Sequence, residues 1–311
     1  MKTDENKINY SVVIPVYNGQ DTLVPLVAQI REVFLNQNLT FEIILVDDYS
    51  TDKSWEVICK LKKEYENEII GIKLSKNYGQ HNAVFCGIVH SSGMFVITID
   101  DDLQTPPQEI IKLIERQKET NSDVVYGIYQ EKKHSWFRNW GSRSIQKLSK
   151  WLLKYPGKGS SFRIFTKQIA QNLSKHNHPF FYIDEIFHWY TDNINFVNVE
   201  HQKRLHNKSG YSNWRLIKLF ANILFYYTAF PLKIMTIFGF IFSIITLLVG
   251  IRYIVQKIFF NVPLGYTSLI VAILFSTSVV MMCLGIIGEY LSRIYLFQNK
   301  KPPYSISQIA E

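Results

Sequence analysis

The sequence predicts an α/β domain built on a mostly parallel, Rossmann-like sheet, followed by an interfacial helix and two membrane-spanning helices. Three observations lead there. Short Val/Ile-rich runs alternate with longer helix-like stretches over residues 11–129. Two of those runs end in consecutive aspartates, Asp47-Asp48 and Asp100-Asp101-Asp102. Two long apolar runs without charge, Ile234–Ile251 and Ile258–Gly288, lie beyond residue 230.

The candidate strands are Ser11–Tyr17, Phe41–Asp48, Ile69–Ser75, Phe95–Asp100 and Asp123–Tyr129. Helix-like stretches at 21–37, 53–66, 79–91 and 107–121 separate them. Strands of continuous apolar character joined by helical crossovers form a parallel sheet covered on both faces. In such a sheet, ligands bind beyond the carboxyl ends of the strands. Those ends carry Pro15-Val16-Tyr17-Asn18, then Asp47-Asp48 with Ser50 and Asp52, then Asp100-Asp101-Asp102 with Gln104.

The C-terminal part reads differently. Ile234 to Ile251 is an 18-residue run without charge, about 27 Å as a helix and close to the thickness of a hydrocarbon core. A second uncharged run extends from Ile258 to Gly288, with Asn261, Pro263 and Gly265 marking a turn at its start. The predicted layout is a catalytic domain over 1–212 and an amphipathic helix over 213–230. A first span and the start of its loop follow over 231–257, then an outer loop over 258–265. A second span over 266–288 and a tail over 289–311 complete it. Arg215, Lys218 and Lys233 precede the spans and Arg293, Lys300 and Lys301 follow them, so the positive-inside rule puts both termini in the cytoplasm. The polar N-terminus has no apolar core and predicts no cleavable secretion signal.

Composition excludes several function classes. The net charge of +8 is shared between the sheet region and the apolar C-terminal part, which argues against a nucleic-acid reader and for a membrane partner. Cys59, Cys86 and Cys283 have no metal-ligand spacing. No GxGxxG follows the first strand and no GxxxxGK[ST] occurs, so dinucleotide and P-loop readings lose their support. Three successive aspartates repel one another and call for a counter-ion. Mg2+ or Mn2+, held by one or two carboxylates and by the oxygens of a diphosphate, meets that demand.

In combination, Val13-Ile14-Pro15-Val16-Tyr17-Asn18, the run Val46-Asp47-Asp48 with Ser50 and Asp52, and Asp100-Asp101-Asp102-Leu103-Gln104 with Pro106-Pro107 resemble family 2 glycosyltransferases of GT-A fold. His201 with Arg204, Lys208-Ser209-Gly210-Tyr211 and two C-terminal spans narrow the resemblance to the polyprenyl-phosphate glycosyltransferases. The resemblance implies that Pro15, Tyr17, Asp47 and Asp48 line the nucleotide pocket. Asp100 and Asp102 match the outer carboxylates of the DxD motif that binds metal, Gln104 adds to the metal shell, and Asp101 joins the donor-contacting residues. Arg204 and Ser209 match a segment that holds phosphates. Two positions depart from the pattern: Gly19 stands where many relatives have Glu, and Tyr49 where Gly is usual.

The expected reaction is inverting, metal-dependent transfer of a sugar from a nucleotide donor, a uridine-linked one above all, to undecaprenyl (polyprenyl) phosphate. A lipid phosphate is already anionic at neutral pH and needs positioning rather than a general base. Arg143, Lys147, Lys150 and Lys154 share a helical face beside Trp136, Trp140 and Trp151. Arg138 and Arg143 are therefore the candidates for the acceptor phosphate. In relatives with sugar acceptors an acidic residue at the place of Asp184 is the base; here Asp184 is expected to orient the donor sugar or the arginines, or to cap a helix. The implied setting is a bacterial inner membrane, multi-pass, with a homo-oligomer as the implied assembly. A glycosyltransferase with a saccharide acceptor and a non-catalytic membrane scaffold that binds nucleotide sugar remain the alternatives.

Overall fold

The computed structural model describes residues 8–129, 160–175, 183–202, 230–260, 265–298 and 302–311. The chain divides into two compact units, Met1–Gly210 with Lys300–Glu311, and Tyr211–Asn299.

In the first unit the five expected strands form as β1 (Tyr10–Val16), β2 (Phe41–Asp47), β3 (Ile69–Leu74), β4 (Phe95–Thr98) and β5 (Val124–Tyr129). The crossovers are α1 (Leu23–Asn36), α2 (Ser54–Glu64), α3 (Gln80–Val89) and α4 (Ile110–Thr120), the last preceded by a single 3-10 turn over Pro107–Glu109. Three strands carried no sequence signal strong enough to predict them: β6 (Arg163–Thr166), β7 (Ile194–Val199) and β8 (Ile306–Ile309). Helices α5 (Lys167–Ser174) and α6 (Ile183–Tyr190) join β6 to β7.

The sheet order among the described residues is β7-β5-β6-β4-β1-β2-β3-β8. Pairs β1–β2, β1–β4, β2–β3 and β5–β7 are parallel; β6 runs antiparallel between β4 and β5, and β8 antiparallel along β3. Strands β1 and β2 are buried along their whole length, which is why they read as unbroken apolar runs. Helix α1 seals one face with Leu23, Leu26, Val27, Ile30 and Phe34, all fully buried. The order reverses at β1, since β2 and β3 go to one side and β4 to the other. The crevice between the carboxyl ends of β1 and β4 is therefore the topological switch point. Pairing there stops at Val13 with Thr98, three residues before β1 ends.

The stretch expected as a tail, 289–311, holds the end of a helix as far as Gln298 and, at the sheet edge, strand β8. The four residues of β8 alternate weakly, and only pairing with β3 makes them a strand.

The second unit contains α7 (Phe230–Phe260) and α8 (Tyr266–Gln298), about 46 and 50 Å long. They meet where the rings of Phe242 and Phe275 lie 5.3 Å apart. Among the described residues one stretch, Phe275–Ser292, is long and apolar enough to cross a membrane, with a mean hydropathy of 1.4 and none of it buried. Of α7, Ile237, Phe238, Phe240 and Phe259 are exposed. Residues 213–229 and 261–264, the bulk of the expected amphipathic helix and of the loop, lie outside the described residues.

Candidate active site

The carboxyl ends of β1, β2 and β4 are laced together by side chains caught on backbone amides. After β1, Asn18 N–H donates to Ser50 Oγ (3.0 Å), Gly19 N–H to Ser54 Oγ (2.9 Å) and Gln20 N–H to Asp52 Oδ2 (3.2 Å). In return, Thr51 N–H donates to Asn18 Oδ1 (2.9 Å) and Lys53 N–H to Gln20 Oε1 (3.0 Å). These bonds join the β1–α1 and β2–α2 loops into one rigid rim, the supporting shell a binding site needs.

Within that rim each aspartate has a distinct environment. Asp47 is fully buried; its Oδ1 accepts from Ser50 N–H at 3.0 Å, while its Oδ2 has no hydrogen-bond partner. Asp48, 3% exposed, accepts from the amides of Tyr78 (2.7 Å) and Gly79 (2.8 Å) at the entrance to α3. Burial nevertheless outweighs those bonds and pushes its carboxyl up to about 6. Asp100 accepts from Gln80 Nε2 and from Ser161 Oγ, each at 2.6 Å. Its pKa is raised, chiefly by burial and further by Asp102. Asp101 turns the other way and accepts from Tyr17 N–H at 3.1 Å, bracing β4 against β1. Burial, with Asp100 and Asp102 beside it, pushes Asp101 up to about 7. Asp102 Oδ1 accepts from Gln104 N–H at 3.1 Å, and the Gln104 carbonyl accepts from Gln202 N–H at 2.8 Å.

Backbone strain collects at the same place. Asn18 (φ 55°), Tyr49 (φ 63°) and Leu103 (φ 56°) are non-glycine residues in the left-handed region. Each follows one of the three strand ends. For Tyr and Leu this conformation costs about 1–2 kcal/mol, and such strain concentrates at functional sites. Tyr49 thus adopts the backbone that the more usual glycine would take freely. Gly19 has an equally local reason: a Cβ there would lie 2.6 Å from Asp101 Oδ2. A larger residue at 19 and the Asp101 brace are alternatives.

The set fits a divalent cation. Among the described residues no three His, Cys, Asp or Glu side chains converge on one ion. Mg2+ and Mn2+ sites of this kind draw one or two carboxylates from the protein and the remaining oxygens from phosphates. Half-buried carboxylates with raised pKa values are the complementary sign, a negative charge held out of water without enough protein cation to match it. Asp100 and Asp102 would hold the ion. The side chain of Asp101 is committed to β1. Pro15 is buried near the end of β1, past the last pair with β4, and Tyr17 is 52% exposed at the rim.

Asp184 lies elsewhere. It sits in the first turn of α6, 7% exposed, ion-paired with Arg163 of β6 and accepting from Tyr126 Oη at 2.9 Å. Arg163 Nε in turn donates to Thr98 Oγ1 at the end of β4 (3.3 Å). Burial and the Arg163 charge push His81 down to about 4, despite Asp184. Asp184 is thus tied into a buried pair below the aspartate rim, with its helix already begun at Ile183. Arg163 escaped the sequence reading because an arginine in a four-residue strand carries no signal until its partner is located. His201 packs on Tyr129, ring centroids 4.3 Å apart. Arg138, Arg143, Arg204 and Ser209, expected to bind phosphate, lie outside the described residues.

Comparison with known proteins gives the family and the fold. Residues 230–294 match the GtrB C-terminal hairpin. The chain is 30% identical over 307 residues to an undecaprenyl-phosphate 4-deoxy-4-formamido-L-arabinose transferase of Enterobacter sp., covering 96% of this chain and 93% of the relative. It is 32% identical over 312 residues to the transferase of the same name from Edwardsiella ictaluri, again covering 96% and 93%. The fold is similar to that of glucosyl-3-phosphoglycerate synthase from Mycobacterium tuberculosis, solved with uridine diphosphate. The TM-score is 0.50 at 16% identity, over 70% of this chain and 78% of that one. Residues 11–187 match glycosyl transferase family 2, and with more than half of its length inside that match the chain belongs to this family.

Proposed function

We propose that this glycosyltransferase moves a sugar from a nucleoside diphosphate donor to undecaprenyl or another polyprenyl phosphate at the cytoplasmic face of a bacterial inner membrane. The observation that carries the reading is the crowd of aspartates at the switch point, with Asp48, Asp100 and Asp101 all raised in pKa. A divalent ion and a diphosphate would answer that charge imbalance together. The acceptor is supported by the relatives, whose names state undecaprenyl phosphate and whose similarity spans nearly the whole chain. A uridine nucleotide is the donor that the motif resemblance implies.

The roles follow from placement. Asp100 and Asp102, with Gln104, hold Mg2+ or Mn2+, which when bound neutralises the leaving diphosphate as a Lewis acid. Asp47, with its unpartnered Oδ2, and Asp48, Pro15 and Tyr17 receive the nucleotide. Asp101 fixes Tyr17. Asp184 holds Arg163 against the base of the site, a positioning role that leaves its carboxylate committed and suits an acceptor needing no general base. Arg138, Arg143, Arg204 and Ser209 are assigned to the acceptor and donor phosphates.

Chain topology supports two membrane crossings. Strand β8 follows α7 and α8 in sequence yet is hydrogen-bonded into the same sheet as β1 to β7. The chain between must then cross any bilayer an even number of times. Two crossings satisfy that parity, with α8 carrying the stretch apolar enough to span and α7 as its proposed partner. That reading gives a catalytic domain over 1–212 joined by C-terminal β8, an interfacial helix over 213–230, and a multi-pass anchor. Assembly into a homo-oligomer is carried over from the resemblance.

The test uses purified full-length protein, polyprenyl phosphate, Mn2+ and radiolabelled UDP- and GDP-sugars. Label is expected in an organic-extractable lipid that mild acid cleaves. Label that stays with the nucleotide for every donor refutes the acceptor.

A further inference from the structure

Residues 302–311 follow α8 in sequence and contribute none of the donor-edge aspartates, yet they are closely fitted to the sheet domain. Ile309, Gln308 and Ile306 pair with Ile72, Lys73 and Leu74 of β3. Ala310 N–H donates to the Gly71 carbonyl, and Ser75 N–H to the Ser305 carbonyl, both at 2.8 Å. A Cβ on Gly71 would lie 2.9 Å from the Ala310 Cβ and 2.6 Å from Ile58 Cγ2, so glycine is what lets Ala310 close against β3. Pro303 and Ala310 are buried. The Tyr304 ring meets Phe85 of α3 edge-on at 5.9 Å, and its hydroxyl lies beside the Cys86 thiol.

These contacts bracket one short loop. Ser75 leaves β3, and five residues later α3 begins. Between them the amides of Tyr78 and Gly79 clamp Asp48, and Gln80 at the start of α3 clamps Asp100. The tail grips the strand before this loop and the helix after it.

We infer that residues 303–310 are a positioning element of the donor site: docked on β3 and α3, they hold the β3–α3 loop where it clamps Asp48 and Asp100. Detaching them weakens donor binding without removing any group that touches the donor. The functional half rests on the donor reading above; the structural half does not.

Two measurements on the full chain in detergent separate those halves. The variants are a chain ended after Lys301 and Tyr304→Ala, which keeps the strand but loses the ring and hydroxyl. Hydrogen exchange read at amides 77–80 is expected to rise about tenfold or more in the shortened chain while β1 and β2 stay protected. Adding the synthetic peptide 302–311 restores protection. If β1 and β2 also open, Tyr304→Ala supplies the same comparison with β8 in place. Unchanged exchange at 77–80 in a folded variant overturns the proposal. Uridine diphosphate with Mn2+ is expected to bind about tenfold more weakly to the variants, with KM raised more than kcat falls. Exposed loop amides with undiminished nucleotide affinity overturn the coupling. A native chain that binds no uridine diphosphate refutes the donor reading instead, and the exchange contrast still decides the tail's role.

Discussion

The two ends of the same central strands hold buried carboxylates in opposite conditions. At the amino end, Glu42 is 4% exposed and accepts from Ser11 Oγ (2.5 Å), Ser92 N–H (2.7 Å) and Ser92 Oγ (2.9 Å). Ser11 Oγ also accepts from Gly93 N–H at 2.8 Å, so the cluster closes on itself. At the carboxyl end, Asp47 keeps an unpartnered oxygen, Asp48, Asp100 and Asp101 are raised in pKa, and three residues carry left-handed backbone. Burial is comparable for Glu42, Asp47 and Asp48, and of the three only Asp47 keeps a buried oxygen without a partner. A satisfied buried carboxylate holds a fold together, whereas an unsatisfied and strained set is organised for something that binds.

The contrast can be broken first by charge removal. Asp102→Asn is expected to lower kcat/KM by about a hundredfold or more, the scale of losing an electrostatic catalytic group, with the unfolding midpoint unchanged. Glu42→Ala should do the reverse. It strands the fully buried Ser11 hydroxyl, whereas exposed Ser92 turns to water, at about 1–3 kcal/mol in denaturant unfolding, while activity per folded molecule persists. Equal effects of the two substitutions on activity would erase the distinction between the ends.

A smaller effect appears with pH. The Asp101 carboxyl titrates near 7 in the folded chain against 3.8 unfolded, so the folded state holds this proton more tightly. Its contribution is fully present below about pH 4 and is lost as pH rises through 7. In chelator, native protein should therefore be less stable at pH 8 than at pH 5 by roughly 2 kcal/mol from this group, allowing for solvent screening. Asp101→Asn, which can still accept from Tyr17 N–H, should flatten that slope between pH 5 and 8. A slope identical to the native one assigns the titration to other groups.

The smallest expected change is at Tyr49. Tyr49→Gly relieves left-handed strain but gives the unfolded chain more freedom, so stability should shift by about 1 kcal/mol or less, toward the folded state. Urea unfolding at pH 8 reads it, and a clear loss of stability would mean that the exposed ring contributes packing.

The carboxyl end was the more legible of the two in the sequence. Val12 to Val16 and Ile43 to Val46 are buried on both faces and spell out their strands, and three consecutive aspartates after β4 leave few chemical readings. What each aspartate does was not legible, because Asp100, Asp101 and Asp102 differ only in which neighbour faces them. Asp101, expected among the donor-contacting residues, also braces Tyr17, a contact decided by where β1 ends relative to β4. Arg163 and Asp184 are 21 residues apart and meet only after β6 inserts between β4 and β5. Strand β8 was read as tail because Ile306-Ser307-Gln308-Ile309 has no pattern of its own, and β3, the partner that defines it, lies more than 200 residues earlier in the chain.

The most direct test of the central claim, that Asp100 and Asp102 grip a divalent ion together with a nucleoside diphosphate, is Mn2+ binding followed by electron paramagnetic resonance. With uridine diphosphate present, the free-ion signal should fall at one equivalent of native protein, and should fall much less with Asp102→Asn or when the nucleotide is omitted. A signal that falls equally for native protein and Asp102→Asn, or that never falls, contradicts the account.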